Sequence, residues 1–329
     1  MKIQKITAAF AAVLMMQALP ANAVYQSQDE IAFALRGMET ENCGYLAQGN
    51  TVYLSPIAAK EGTNVRMGMF IEAEYADFSI IEMELCSTSP AVTFVPESFH
   101  NPTDNYTADK TTYVTEDGLE FSTRLKPYCF GYVNSSDVYV HSSAGSYGNF
   151  NETNDGFKMM WYASISREAA FFGNRSDEFS FIEMDLAVAP ETAAGEYSVY
   201  FHSEPTADDP YGNTFITSDE STADKTIYAD FIPAFKNLKI TAVSGGDANL
   251  DGVTDAADAA AVLIYAAAKG AGGSPVLVQG QEELSCFNAN VTAYMGTADE
   301  IDAKDASAIL QYAAIDGSGD APDWGEILQ

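Results

Sequence analysis

The segment DANLDGVTDAAD, residues 247–258, puts oxygen-bearing side chains where a loop can wrap a cation. Asp247, Asn249, Asp251, Asp255 and Asp258 stand at loop positions 1, 3, 5, 9 and 12, and Gly252 stands at position 6, where the backbone must turn sharply. Ca²⁺ is a hard cation that takes roughly six to eight oxygen ligands, and this loop can supply them. Val253, at position 7, would contribute its backbone carbonyl, and Asp255 would act through a water. A solvated acidic turn is the bland alternative, and the complete spacing argues against it.

The element that must hold this loop follows it and is then repeated. DAADAAAVLIYAAA (residues 255–268) matches DAKDASAILQYAAI (residues 302–315) at nine of fourteen positions. Apolar residues fall at helical spacing in both copies, with Val262, Leu263 and Tyr265 answered by Ile309, Leu310 and Tyr312. Neither helix could bury its stripe alone, so the two are expected to pack together. The first loop departs from an EF-hand in two ways: position 12 is Asp258 rather than Glu, and KITAVSGG upstream is β-branched and ends in two glycines, so no helix precedes it.

A duplicated calcium loop plus helix, with Asp at position 12, resembles a dockerin module, over about 85 residues from Gly245 onward. Dockerins are the plugs that enter cohesin sockets in cellulosomes. The resemblance therefore implies assembly, through the cohesin of a larger scaffoldin, into a polysaccharide-degrading complex. It also implies that loop positions 10 and 11 read the partner: Ala256 and Ala257 in one copy, Ala303 and Lys304 in the other. The apolar positions Val262 and Ile264 are added to that face. The second loop breaks the pattern, since counting back twelve from Asp305 reaches Tyr294. A loop starting at Asn288 and Asn290 would reach Asp302 and Asp305 only with six extra residues. Either that site is expanded or its metal has been lost, and expansion is the expectation.

The chain opens with Lys2 and Lys5, an apolar run from Ile6 to about Leu19, then Pro20 and Ala21 to Ala23, which predicts a secretory signal cleaved after Ala23. Secretion is expected, and the chain is expected to be released or held by a partner. A formal net charge of −31, from 47 acidic and 16 basic residues, argues against nucleic acid and anionic membranes as partners. Residues 245–329 hold 14 Asp or Glu against Lys269 and Lys304 alone, so calcium chemistry accounts for part of this acidity. Of the cysteines, Cys43, Cys86 and Cys129 precede Cys286, a distribution that suggests no disulfide framework; one bridge among the first three and buried free thiols both stay open.

Residues 24–243 read as short alternating strands separated by Gly, Pro, Asn and Asp turns, which predicts an antiparallel β sandwich. Alternation is clear in residues 78–85, 157–164, 179–186, 196–201 and 235–243, and almost nothing reads as a helix. The strand order, from EGTNVRMGMFIE through FSIIEMEL, GFKMMWYAS and FSFIEMDLAVAPETAAGEYSVYF to FKNLKITAV, resembles a cohesin. The expected organisation is thus a signal peptide (1–23), a mainly β, jelly-roll, cohesin-like sandwich (24–243) and a small α-helical calcium-binding dockerin (244–329). Such a sandwich would bind dockerin-bearing enzymes. Carbohydrate-binding modules share the plan, so plant cell-wall polysaccharide is the alternative ligand.

Two carboxylate pairs, Glu82 with Glu84 and Glu183 with Asp185, invite a glycosidase reading, because each pair projects from one face of a strand. Glycosidase carboxylates normally come from separate strands, so these are read as polar faces of half-buried strands. His100, His141 and His202 have no second ligand at metal spacing in the sequence, and GSYG at 145–148 is no nucleophile elbow. Tyr128, Tyr132, Tyr139, Trp161 and Tyr162 could form a sugar-stacking platform, although aromatics at alternating strand positions are more often core. The reading is a non-catalytic adaptor, with a glycoside hydrolase the remotest alternative.

Overall fold

The computed structural model describes residues 30–40, 44–72, 75–78, 80–100, 112–114, 120–122, 128–129, 138–141, 147–150, 156–162, 170–173, 180–192, 196–202, 215–217, 232–296 and 300–329. The expected signal peptide, Cys43 and Tyr132 lie outside them, as do the side chains of Glu82, Cys129 and the remaining aromatic candidates. The chain divides into two compact units. The first comprises residues 1–36, 66–186 and 198–238, and the second residues 37–65, 187–197 and 239–329. Among the described residues no helix is long and apolar enough to cross a membrane.

The first unit is built from strands, as the alternation predicts. One sheet orders Ile232–Lys236, Glu30–Gly37, Thr63–Glu72, Ser180–Val188 and Val92–His100. Another runs Val138–His141, Tyr147–Phe150, Gly156–Tyr162, Ile80–Ser87 and Glu196–Phe201. Strand periodicity decides what each face does: Met83 and Leu85 are fully buried, as are Ile182, Met184 and Leu186, while Glu84, Glu183 and Asp185 between them stay partly exposed. Phe201 of one sheet packs against Phe235 of the other with ring centroids 4.9 Å apart, so the buried faces meet. The sequence FKNLKITAV, expected as one strand, is two, broken at Asn237, whose side-chain oxygen accepts from the Phe201 N–H at 3.2 Å.

The Glu183 and Asp185 pair has a structural role. Arg66 donates to Glu183 at 3.0 Å and to Asp185 at 3.1 Å, and also to the Ser98 carbonyl. All three charged side chains are less than one-third exposed. A forked guanidinium between two carboxylates is a planar, multi-donor match. At the far end of the same strand, Glu72 receives Arg36 and Lys236. Burial pushes the Glu72 carboxyl up, but the hydrogen bonds from these two cations outweigh it and hold the group below its ordinary value.

The second unit opens with a hairpin, Tyr45–Gln48 with Thr51–Leu54, and a parallel strand, Leu238–Ala242, beside it. A short helix, Pro56–Glu61, follows, with Ser55 capping the Ala58 N–H and Pro56 at its first position. The alternation pattern does not anticipate this helix. Its Ser-Pro start is a helix signal, obscured by the strands on either side. The helices Ala256–Gly270, Glu282–Ala289, Ala303–Ser318 and Trp324–Ile327 complete the unit. In KITAVSGG the first four residues are strand and the closing glycines turn at positive φ, so no helix precedes the loop, as its composition requires.

Removing the cation from the carboxylate clamp should be costly. Arg66→Met is expected to lower the unfolding free energy by about 2 kcal/mol, because two poorly solvated carboxylates lose their partner. Adding Glu183→Gln and Asp185→Asn should recover most of that loss in chemical denaturation, whereas no change in the single variant would contradict the clamp.

Candidate metal centre

Both copies of the repeat begin with the same carboxylate arrangement. Asp255 caps the Ala256–Gly270 helix by accepting from the Ala257 N–H, while Asp258 reaches back to the Asp255 N–H at 2.8 Å. In the second copy Asp302 accepts from Lys304 N–H, and Asp305 reaches back to Asp302 N–H at 2.8 Å. The cap dihedrals agree closely, φ −140° and ψ −169° against φ −141° and ψ −167°. Two reciprocal capping boxes made by four aspartates put negative charge on two helix N-termini, where the helix dipole favours it.

The rest of the first loop folds inward on itself. Asp247 accepts from the N–H groups of Asp251 and Gly252, each at 3.0 Å, Asn249 accepts from Asp251 N–H, and Asp251 accepts from Val253 N–H. Asp258 also accepts from Asn249 N–H at 3.0 Å, which ties position 12 back to position 3. Gly252 has φ +91°, the left-handed turn expected at position 6. Val253, 56% exposed, has no donor atom in its side chain, so its backbone carbonyl is what it could offer an ion. The outcome is a tight acidic loop in which Asp258 is wholly buried.

The second loop uses the same anchor at a different length. Asp305 accepts from Thr292 N–H at 3.0 Å, as Asp258 does from Asn249. Those partners lie thirteen residues apart here and nine apart in the first copy, so the second turn is four residues longer. This register puts Asn290, rather than the expected Asn288, at position 1 and Thr292 at position 3. The Thr292 hydroxyl also donates to Asp305 at 2.8 Å. Asn288 instead joins the two loops, its amide donating to the Asp247 carbonyl at 3.2 Å.

The donor set fits a hard cation in both loops. Asp258 and Asp305 are fully buried carboxylates, and neither has an ion-pair partner among the described residues. Burial holds the Asp258 carboxyl above its ordinary value, and Asp247 and Asp251 add to that shift against two backbone N–H groups that lower it. Beside the second loop, the Asn288 side-chain oxygen is buried without a hydrogen-bond partner. Buried oxygens that lack donors are what a calcium ion satisfies.

A shared core holds the loops together. Ala259, Val262, Ala306 and Ile309 are buried from the two long helices, and Ile57 from the Pro56–Glu61 helix joins them. Trp324 closes this core. It stacks on Tyr312 at 4.5 Å, stands edge-on to Tyr294, and donates to the Ser244 carbonyl at 3.2 Å. Gly245 and Gly246, both at positive φ, admit it: a Cβ on Gly246 would stand 2.7 Å from Thr254 and 2.9 Å from the Trp324 ring. Lys60 pairs with Asp323, which caps the final helix. Sequence reading misses Ile57, Thr292 and Trp324, because their roles depend on contacts across the fold.

Of the expected docking residues, Ala256, Ala257, Ala303 and Lys304 are exposed, and Ile264 is 71% exposed. Val262 must be corrected: it is fully buried, because it takes the core-facing position that Ile309 takes in the second copy. The surface positions next to these are Leu263 and Leu310, equivalent in the repeat and each 45% exposed. The structure also joins residues distant in sequence: His202 Nδ1 lies 3.1 Å from Glu84 Oε2, with Cys86 beside them.

No family model matches the chain, and no curated protein does. Solved structures with some likeness include a type III cohesin module from the cellulosomal ScaE cell-surface anchoring scaffoldin of Ruminococcus flavefaciens, at 12% identity over 70% of this chain and 97% of that one, with a TM-score of 0.33. A type II cohesin domain from the cellulosome of Acetivibrio cellulolyticus is 13% identical over 69% of this chain and 98% of that one, with a TM-score of 0.31. The third ScaB cohesin of R. flavefaciens, solved in complex with a group 1 dockerin, is 11% identical over 68% and 99%, with a TM-score of 0.33.

The raised Asp258 carboxyl carries a signed consequence. An acid whose value rises on folding favours the folded state while protonated, so its contribution is full below the ordinary 3.8 and is lost as pH rises through the raised value. In EDTA, the wild-type chain should therefore lose stability relative to Asp258→Asn as pH rises from below 4 towards neutrality. Parallel stability curves for the two proteins would contradict the burial argument.

Proposed function

We propose that this is a secreted, non-catalytic adaptor in which a calcium-folded dockerin-like module docks on the cohesin of a larger scaffoldin. The observation that carries the reading is the repeated pair of aspartate-capped loop–helix units, with Asp258 and Asp305 buried identically. In this reading the first loop holds Ca²⁺ through Asp247, Asn249, Asp251, the Val253 carbonyl, Asp255 and Asp258. The second holds it through Asn290, Asp302 and Asp305, with Asn288 alongside. Bound calcium would neutralise carboxylates that otherwise repel one another in a confined loop.

The docking surface in this proposal is the outward side of the two long helices: Ala256, Ala257, Leu263 and Ile264 on one, Ala303, Lys304 and Leu310 on the other. Small residues at the helix starts let a partner's sheet approach closely, and leucines placed equivalently supply apolar anchors. The cohesin-like sandwich of the first unit is proposed to receive a dockerin-bearing enzyme. Its Glu183 and Asp185, clamped by Arg66, support a binding rather than a catalytic role.

Capture separates the readings. The full chain in Ca²⁺ is expected to bind an immobilised cohesin and to lose that binding in EDTA together with helical circular dichroism. Leu263→Asp with Leu310→Asp should weaken capture about tenfold or more while leaving the calcium-induced spectrum unchanged. Retention on insoluble polysaccharide in EDTA, with no cohesin capture in Ca²⁺, would favour the carbohydrate-binding alternative and overturn the adaptor.

A further inference from the structure

We infer that the first unit carries a separate site for a zinc-class transition-metal ion, formed by Glu84, Cys86 and His202. Glu84 and Cys86 stand two apart on the Ile80–Ser87 strand, so they share one face, opposite the buried Met83 and Leu85. His202 follows directly on the neighbouring Glu196–Phe201 strand, and its N–H donates to the Glu84 carbonyl at 2.8 Å. That main-chain bond brings the imidazole alongside the other two side chains. The three ligand atoms, one from each residue, lie within 4.8 Å of one another.

The donor chemistry selects the ion. A thiolate, an imidazole nitrogen and a carboxylate oxygen form the mixed set that zinc accepts, and that Ca²⁺, which takes oxygen alone, does not. Two light-atom ligands about 2.0–2.1 Å from a tetrahedral ion stand roughly 3.3 Å apart, close to the 3.1 Å between His202 Nδ1 and Glu84 Oε2. Cys86 carries a thiol rather than a disulfide, and of its two cross-strand neighbours Gly156 adds no side chain while Tyr200 lies on the His202 side. The Tyr200 ring stands edge-on to His202, 6.3 Å between centroids, and helps hold the imidazole. All three residues are partly exposed, so solvent water is available to complete the coordination. Such an ion would link two adjacent strands through their side chains, in the unit that does not contain the aspartate loops. A His–Glu ion pair alone does not require a thiol within ligand distance of both groups.

Cobalt(II) tests this directly in the reduced full-length chain, with calcium in excess so that the aspartate loops are filled. The expected result is a near-ultraviolet thiolate-to-cobalt charge-transfer band that saturates at one ion per chain and disappears on adding Zn²⁺. Cys86→Ser and Cys86→Ala should both abolish the band, and His202→Gln should weaken cobalt binding by more than about 100-fold. Circular dichroism in calcium confirms that each variant keeps its fold. A wild-type chain without the band, or a band that survives both Cys86 substitutions, overturns the proposal. The calcium-dependent capture described above is unaffected by either result, so the two readings fail independently.

Discussion

Four aspartates at two helix N-termini impose the constraint on which the second unit depends. Asp258 and Asp305 are buried, yet each must serve both as the reach-back half of a capping box and as the anchor of a loop. A buried carboxylate without a cation is unfavourable by several kcal/mol unless hydrogen bonds or an ion compensate it. Backbone N–H groups and the two helix dipoles supply part of that compensation. The loop chemistry leaves room for a divalent ion to supply the remainder, and an overall charge of −31 increases the need.

Packing then fixes where these loops can sit. The two long helices bury small or branched residues against each other, and Trp324 closes the core over Gly245 and Gly246, where any side chain would collide. Ile57 contributes from a helix far earlier in the chain, so the core around the aspartate loops draws on more than the C-terminal residues. A fragment beginning near residue 244 would expose the surface that Ile57 covers. The first unit follows a different logic: alternating strands bury one face, and carboxylates on the other are matched by arginine or histidine.

Periodic features are legible in the sequence and positional ones are not. The carboxylate spacing of residues 247–258, the left-handed Gly252, the repeated helices and most of the strands follow from local rules of spacing and conformation. The longer second turn is visible as an irregularity, but its register emerges only from the bond between Asp305 and Thr292. Sequence reasoning places Val262 on the surface because an apolar helix stripe does not itself say which of its edges faces the core. Glu84, Cys86 and His202 meet because two strands are neighbours, and a separation of 118 residues between Glu84 and His202 hides this from any motif. The short Pro56–Glu61 helix has a local signal in Ser55 and Pro56, outweighed by the β-rich sequence around it.

Calorimetric titration of Ca²⁺ into the EDTA-stripped full-length chain tests the central claim most directly. Two ions should bind per chain, with a gain in helical signal, and Asp258→Ala and Asp305→Ala should each reduce the number to one. Absence of binding, or a wild-type stoichiometry unchanged by either substitution, would contradict the account.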